Sequence, residues 1–138
     1  MPFRKLADLP LAMTAHIVYE DVDPDHCATY SAKVIRDVVR GEIGFDGLLM
    51  TDDLSMKALT GGFGERTRLA LEAGCDIVLH CNGKMDEMKE VAAASVPLEG
   101  AALGRAERAT ARLAAPPAPI DVAEGTARLA RLLDATAA

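Results

Sequence analysis

An α/β fold with parallel strands is what the sequence predicts, and within it a partial (β/α)8 TIM barrel: the last three βα units plus C-terminal helices. Two observations lead there. Short apolar runs alternate with amphipathic stretches in the order strand, helix, strand, helix, strand, helix, and that alternation makes parallel strands joined by crossover helices. Three such strands leave two open edges and an uncovered apolar face, and a full barrel needs ~250 residues, whereas this chain has 138.

The elements follow in order. Residues 11–19 (LAMTAHIVY) are mostly apolar and read as a buried strand. Residues 21–29, with Pro24 and several carboxylates, read as loop. Over residues 31–39, Val34, Ile35, Val38 and Val39 share one helical face, Ser31 is the N-cap candidate, and Gly41 and Gly44 close the helix. Residues 47–51 (GLLMT) form a second apolar run, buried on both sides if it is a strand. A loop through Gly61, Gly62 and Gly64 leads to a helix over residues 65–73 that Gly74 terminates. Residues 76–81 (DIVLHC) are the third strand, and Met85, Met88, Val91 and Ala92 then repeat at helical spacing. From Gly100 the composition shifts to Ala, Arg and Leu, with two helical stretches split by Pro116, Pro117 and Pro119. Residues 1–114 are thus the barrel segment, and residues 115–138 a Pro-rich link and C-terminal helix.

Composition narrows the function. Half the residues are hydrophobic and 26% charged, which fits a globular chain; Trp is absent, so the core must be aliphatic. The net charge of −6 argues against a nucleic-acid partner, which would need a basic face. Cys27, Cys75 and Cys81 are odd in number and lack metal-ligand spacing, so free thiols are expected, with no metal and no cofactor. Arg4 and Lys5 precede an apolar stretch, but Asp8 and Pro10 interrupt it, and no run approaches the ~20 residues of a membrane span. No membrane partner is expected, and the location read from these features is cytoplasmic.

Catalytic residues of such barrels stand just after the strands. After the second run comes Thr51-Asp52-Asp53-Leu54-Ser55-Met56. Adjacent carboxylates at a strand end are costly to bury without partners or a task. From the residues alone, a catalytic pair and a structural cap are both open. The stretch Val38-Val39-Arg40-Gly41-Glu42-Ile43-Gly44-Phe45-Asp46-Gly47-Leu48-Leu49-Met50-Thr51-Asp52-Asp53-Leu54-Ser55 resembles the active-site signature of family 3 glycoside hydrolases. Two aliphatics, a base, a spaced Gly, three aliphatics and Ser/Thr-Asp all fall in place. Asp53-Leu54-Ser55-Met56 is similar to the β-N-acetylhexosaminidase branch, where the glucosidase branch carries Trp after the nucleophile. Pro2-Phe3-Arg4, Met13-Thr14-Ala15-His16-Ile17 and Ala73-Gly74-Cys75-Asp76 resemble the same branch.

The resemblance implies a retaining enzyme that removes terminal β-linked N-acetylglucosamine from cell-wall turnover products. Asp52 would be its nucleophile, forming a glycosyl ester that water cleaves. Asp53 would be structural, because neighbouring strand residues point to opposite faces. Met56 and His16 are candidates for lining the sugar site, each with packing or a satisfied structural role as the rival. His26 reads as a surface residue, and His80 stands at the active end without an implied role. The histidine acid/base and its partner aspartate, which the resemblance places earlier in the barrel, have no counterpart pattern here. A fragment, inert alone, is therefore expected. Three alternatives stand beside this reading. One is a family 3 β-glucosidase-type hydrolase. Another is an inactive half-barrel that self-associates through exposed sheet edges. The last is a phosphate site at Thr60-Gly61-Gly62-Phe63-Gly64, whose spacing fits no phosphate loop.

Overall fold

The computed structural model describes residues 2–112 and 119–136. A short 3₁₀ turn, Phe3–Leu6, leads into strand β1, Leu11–Met13. Strands β2 (Val18–Tyr19) and β3 (Asp23–Cys27) follow, then a π-helix, Val34–Glu42, and strand β4, Leu48–Asp53. Helix α1 (Phe63–Ala73), strand β5 (Ile77–Leu79), and helices α2 (Met85–Ala94), α3 (Gly100–Ala111) and α4 (Val122–Thr136) complete the order. The main sheet has the order β1-β4-β5, with both pairings parallel. That is the expected α/β alternation, each strand reached by a helical crossover.

The apolar stretch at residues 11–19 is divided. β1 ends at Met13 because the Thr14 hydroxyl and the His16 ring turn toward Thr29, at 2.9 and 2.8 Å. Val18 and Tyr19 then pair antiparallel with Cys27 and Asp23. The expected loop at residues 21–29 is therefore largely a strand, closed through a turn in which Val22 N–H donates to Tyr19 O at 2.8 Å. The helix after it is wound wider than expected. Ile43 N–H donates to Val38 O, an i→i+5 bond, so residues four apart share nearly one face, and Ile35, Val39 and Ile43 all reach the core. Ser31 caps it as anticipated, its Oγ accepting Val34 N–H at 3.0 Å while donating to Asp23 at 2.5 Å.

The core between helices and sheet is Ile35, Phe45, Leu49, Ala70, Ala73 and Cys75. Gly74 ends α1 with φ +112. Cys75 N–H reaches Ala70 O and Gly74 N–H reaches Leu71 O, both at 3.1 Å, the paired closure of a Schellman motif. Pro116 and Pro117 of the expected link lie outside the described residues, while α4 supplies the expected last helix. Among the described residues no helix is long and apolar enough to cross a membrane.

Candidate active site

The three parallel strands end on one rim, and that rim gathers Asp52, Asp53, His16 and Met56. β4 carries an extra residue there. Met50 lies opposite Ile77 and Asp53 opposite Leu79, so Thr51 and Asp52 together face a single position of β5. Such a bulge re-aims a side chain and breaks strict alternation. Thr51, fully buried, accepts Leu79 N–H on its Oγ1 at 2.9 Å, filling the gap that the bulge leaves in the ladder.

Asp52 is half-buried, and its Oδ1 accepts a hydrogen bond from Asp53 N–H at 2.8 Å. Among the described residues this is the only donor to its carboxylate. Asp53 differs completely. Its Oδ1 accepts Ser55 N–H at 2.9 Å and Cys81 N–H at 3.0 Å, and its Oδ2 accepts Ser55 Oγ–H at 2.5 Å. Burial pushes the Asp53 carboxyl up, but the Ser55 and Cys81 hydrogen bonds and the His80 charge outweigh it, so it sits below the usual carboxylate range. One aspartate is consumed by the fold; the other is left with lone pairs facing outward.

His16 is part of the same construction. Its Nε2 lies 3.0 Å from Asp53 O, and a carbonyl only accepts, so Nε2 carries a proton. Nδ1 meets the buried Thr29 hydroxyl at 2.8 Å. Both ring nitrogens are thus engaged by protein, and only the ring's carbon edge is left to meet a ligand. Met56 is 42% exposed on the loop after β4. Arg66 holds that loop down. Its Nη1 donates to Leu54 O at 2.6 Å and Met56 O at 3.3 Å, its Nε donates to Gly61 O at 3.0 Å, and its guanidinium stacks on Phe63. Gly61, at φ +86, faces the carboxylate of Glu65, whose negative charge repels an anion from the loop. The glycine-rich loop is therefore a turn, not an anion cradle.

His80 is buried at the end of β5, edge-on to Phe63 with ring centroids 5.3 Å apart. Its Nε2 bonds Glu87 at 2.9 Å. Glu87 also accepts from Asn82 and Lys84; with Asn82 and His80 leading, these contacts hold its carboxyl down to about 2. His26 is on the surface beside Asp23.

The opposite rim is built for holding. Asp76, buried just before β5, accepts Arg40 Nη2 at 2.8 Å, Leu49 N–H at 2.8 Å and Arg105 Nη1 at 3.0 Å. Arg40 also donates to Phe45 O and Gly47 O. The base of the signature thus joins the helix to the starts of β4 and β5, far along the strand from Asp52. Sequence reasoning singled out Asp52, Asp53, His16 and Met56, which the structure brings to one rim. It assigned no role to Thr29, Thr51, Arg66 or Asp76, whose partners lie up to 46 residues away. The base at Arg40 and the carboxylate of the Gly-Cys-Asp stretch were the available signals for one of these pairs.

Three comparisons bear on the site. Residues 1–113 match the glycosyl hydrolase family 3 N-terminal domain. A β-hexosaminidase of Alkalilimnicola ehrlichii is 49% identical over 86 residues, covering 59% of this chain and 24% of that protein. A family 3 β-N-acetylglucosaminidase from Paenibacillus superposes with a TM-score of 0.71 at 30% identity, over 88% of this chain and 26% of that one. Native NagZ from Neisseria gonorrhoeae gives 0.66 at 35% identity, over 78% and 31%. The chain therefore spans about a quarter of the length of the curated relatives it matches.

Proposed function

The chain belongs to glycosyl hydrolase family 3, and from that premise we propose that it is the nucleophile-bearing part of a retaining β-N-acetylhexosaminidase. The observation carrying this is Asp52: it ends a parallel strand inside the family signature, on a bulge, with its carboxylate nearly free of protein donors. The barrel is completed by strands outside this chain, whose three parallel strands are the last units, residues 1–114; residues 115–138 are a link and terminal helix. The substrate is a terminal β-linked N-acetylglucosaminyl glycoside from peptidoglycan turnover, handled in the cytoplasm without a cofactor, nucleic acid or membrane.

The reaction follows from what this rim holds. Asp52 attacks the anomeric carbon as the aglycone oxygen departs with a proton from an acid supplied by residues outside the chain. Water then cleaves the glycosyl ester, with the same group acting as base. Met56 borders the sugar; His16, with both ring nitrogens engaged by protein, has no hydrogen bond to offer it. Asp53 stays an orienter, because its oxygens already accept three hydrogen bonds.

The test needs a complete barrel. Residues 2–112 can replace the matching segment of the Alkalilimnicola ehrlichii protein, and the chimera can be assayed on an aryl N-acetyl-β-glucosaminide. Asp52→Ala should abolish turnover at unchanged melting temperature, while Asp53→Ala should act chiefly through stability. A near-normal kcat in Asp52→Ala removes the assignment.

One observation favours a second reading, the self-associating half-barrel. Among the described residues the outer edge of β1 has no strand partner, and beside it lies an apolar cavity of about 510 Å³ lined by Phe3, Leu6, Leu11, Met13, Tyr19 and Val38. Strand edges and apolar grooves of this size invite another chain. The 138-residue chain is then expected to hydrolyse nothing and to run larger than a monomer in light scattering. A monomer that turns over the aryl glycoside contradicts both expectations. A β-glucosidase-type activity is the remaining alternative, and comparing aryl glucoside with aryl N-acetylglucosaminide decides it.

A further inference from the structure

We infer that His16 and Asp53 form a positioning device for the nucleophile, so that His16 contributes to turnover through Asp52 more than through contact with the sugar. The inference rests on the nucleophile reading of Asp52.

The geometry is that of a single residue, Asp53, held at every polar atom. Asp53 N–H donates to Asp52 Oδ1 at 2.8 Å. Asp53 O accepts His16 Nε2–H at 3.0 Å, from the β1 side. The Asp53 carboxylate accepts Cys81 N–H from the β5 side and both donors of Ser55. The end of β4 is thereby tied to both neighbouring strands at the residue that touches the nucleophile. A bulge loosens backbone pairing, and side chains supply the fixation that the ladder gives up.

His16 is itself locked. Its Nδ1 meets Thr29 Oγ1, which is fully buried and bonded to Thr14 Oγ1 at 2.9 Å. The line runs from a buried threonine pair through an imidazole to a carbonyl, across one residue, to the reacting carboxylate. A side chain built to bind sugar would leave a ring nitrogen for it; this one leaves none. Displacing a reacting group by ~1 Å costs about 10²-fold in rate, which is the scale expected when the line is cut.

The experiment uses the chimera carrying residues 2–112. His16→Ala should lower kcat by about 10²-fold with KM unchanged, and His16→Gln, whose amide can still donate to Asp53 O, should recover much of the loss. The deciding step replaces the nucleophile. In Asp52→Gly, added azide attacks the anomeric carbon from the vacated side. The bond from that carbon to the aglycone oxygen breaks, the general acid protonates the oxygen, and a glycosyl azide of inverted configuration forms. With no carboxylate left to position, His16→Ala should cost nothing further in azide-dependent turnover. A raised KM in His16→Ala, or an equal loss in the azide reaction, makes His16 a sugar-binding residue and overturns the inference. Should His16→Ala not fold, His16→Gln and His16→Asn carry the same comparison, the shorter amide failing to reach Asp53 O. An active Asp52→Ala enzyme is a different failure, since it removes the nucleophile reading itself.

Discussion

The two ends of the same three strands are built on opposite rules. At the N-terminal rim two carboxylates are tied down by arginines: Asp76 lies between Arg40 and Arg105, and Asp46 accepts from Arg105 and Arg108. At the C-terminal rim Asp52 keeps its lone pairs open, beside a neighbour whose lone pairs are spent. A carboxylate that satisfies its partners cannot also attack a substrate, so under the proposed function stability and chemistry are divided between the rims. In (β/α)8 barrels the chemistry belongs to the C-terminal ends and the lower rim holds the fold.

The division can be broken at its strongest point. Asp76→Ala leaves Arg40, with its side chain 17% exposed, without its carboxylate, and strips Leu49 N–H of its acceptor. Removing one partner of a buried pair costs about 3–5 kcal/mol. Urea unfolding should show that loss in the midpoint, while kcat per folded molecule of the chimera stays close to the parent. A variant equally stable but catalytically dead would show that the lower rim acts on chemistry after all.

A smaller effect comes from the hinge between the helical layer and β5. Gly74 has φ +112, and a Cβ there would lie 3.1 Å from Ile35 Cγ2. Gly74→Ala forces a left-handed residue and crowds the core, at about 1–2 kcal/mol. The urea midpoint should fall with an unchanged slope. An unchanged or raised midpoint would mean that the backbone relaxes out of the left-handed region at little cost.

What the sequence made legible was local. The Ser31 cap, the Gly74 stop, the three apolar runs and the placement of Asp52 at the end of a strand all depend on residues within one or two turns. What stayed hidden depends on partners far along the chain. His16 sits in an apolar stretch that looks like continuous strand, and only Thr29 and Asp53 together pull it out of register. The bulge at Thr51–Asp52 exists because β5 is short and offset, which no pattern inside β4 records. The β2–β3 ribbon hid behind Pro24 and three aspartates, composition that reads as loop until Val18 finds Cys27. Arg66 looked like one more charge on a helix, yet it carries the loop that follows Asp52.

The smallest expected effect tests whether the upper rim holds any stabilising charge of its own. Glu87 lies beside β5 with Asn82, His80 and Lys84 donating to it, and its carboxyl sits at about 2, against an ordinary 4.5. A carboxyl depressed on folding adds stability above its unfolded value and loses it as the pH falls through the folded one. The gap in melting temperature between the parent and Glu87→Gln should therefore be constant above pH 4.5, shrink below it, and close near pH 2. Because the glutamate is only partly buried and its cationic partner Lys84 is exposed, the gap should be modest and should narrow in high salt. Glutamine keeps an acceptor for Asn82 and His80, so what the comparison isolates is the charge. A gap that persists at pH 2, or widens on acidification, would mean that Glu87 stabilises by packing, and that the upper rim holds no such charge at Glu87.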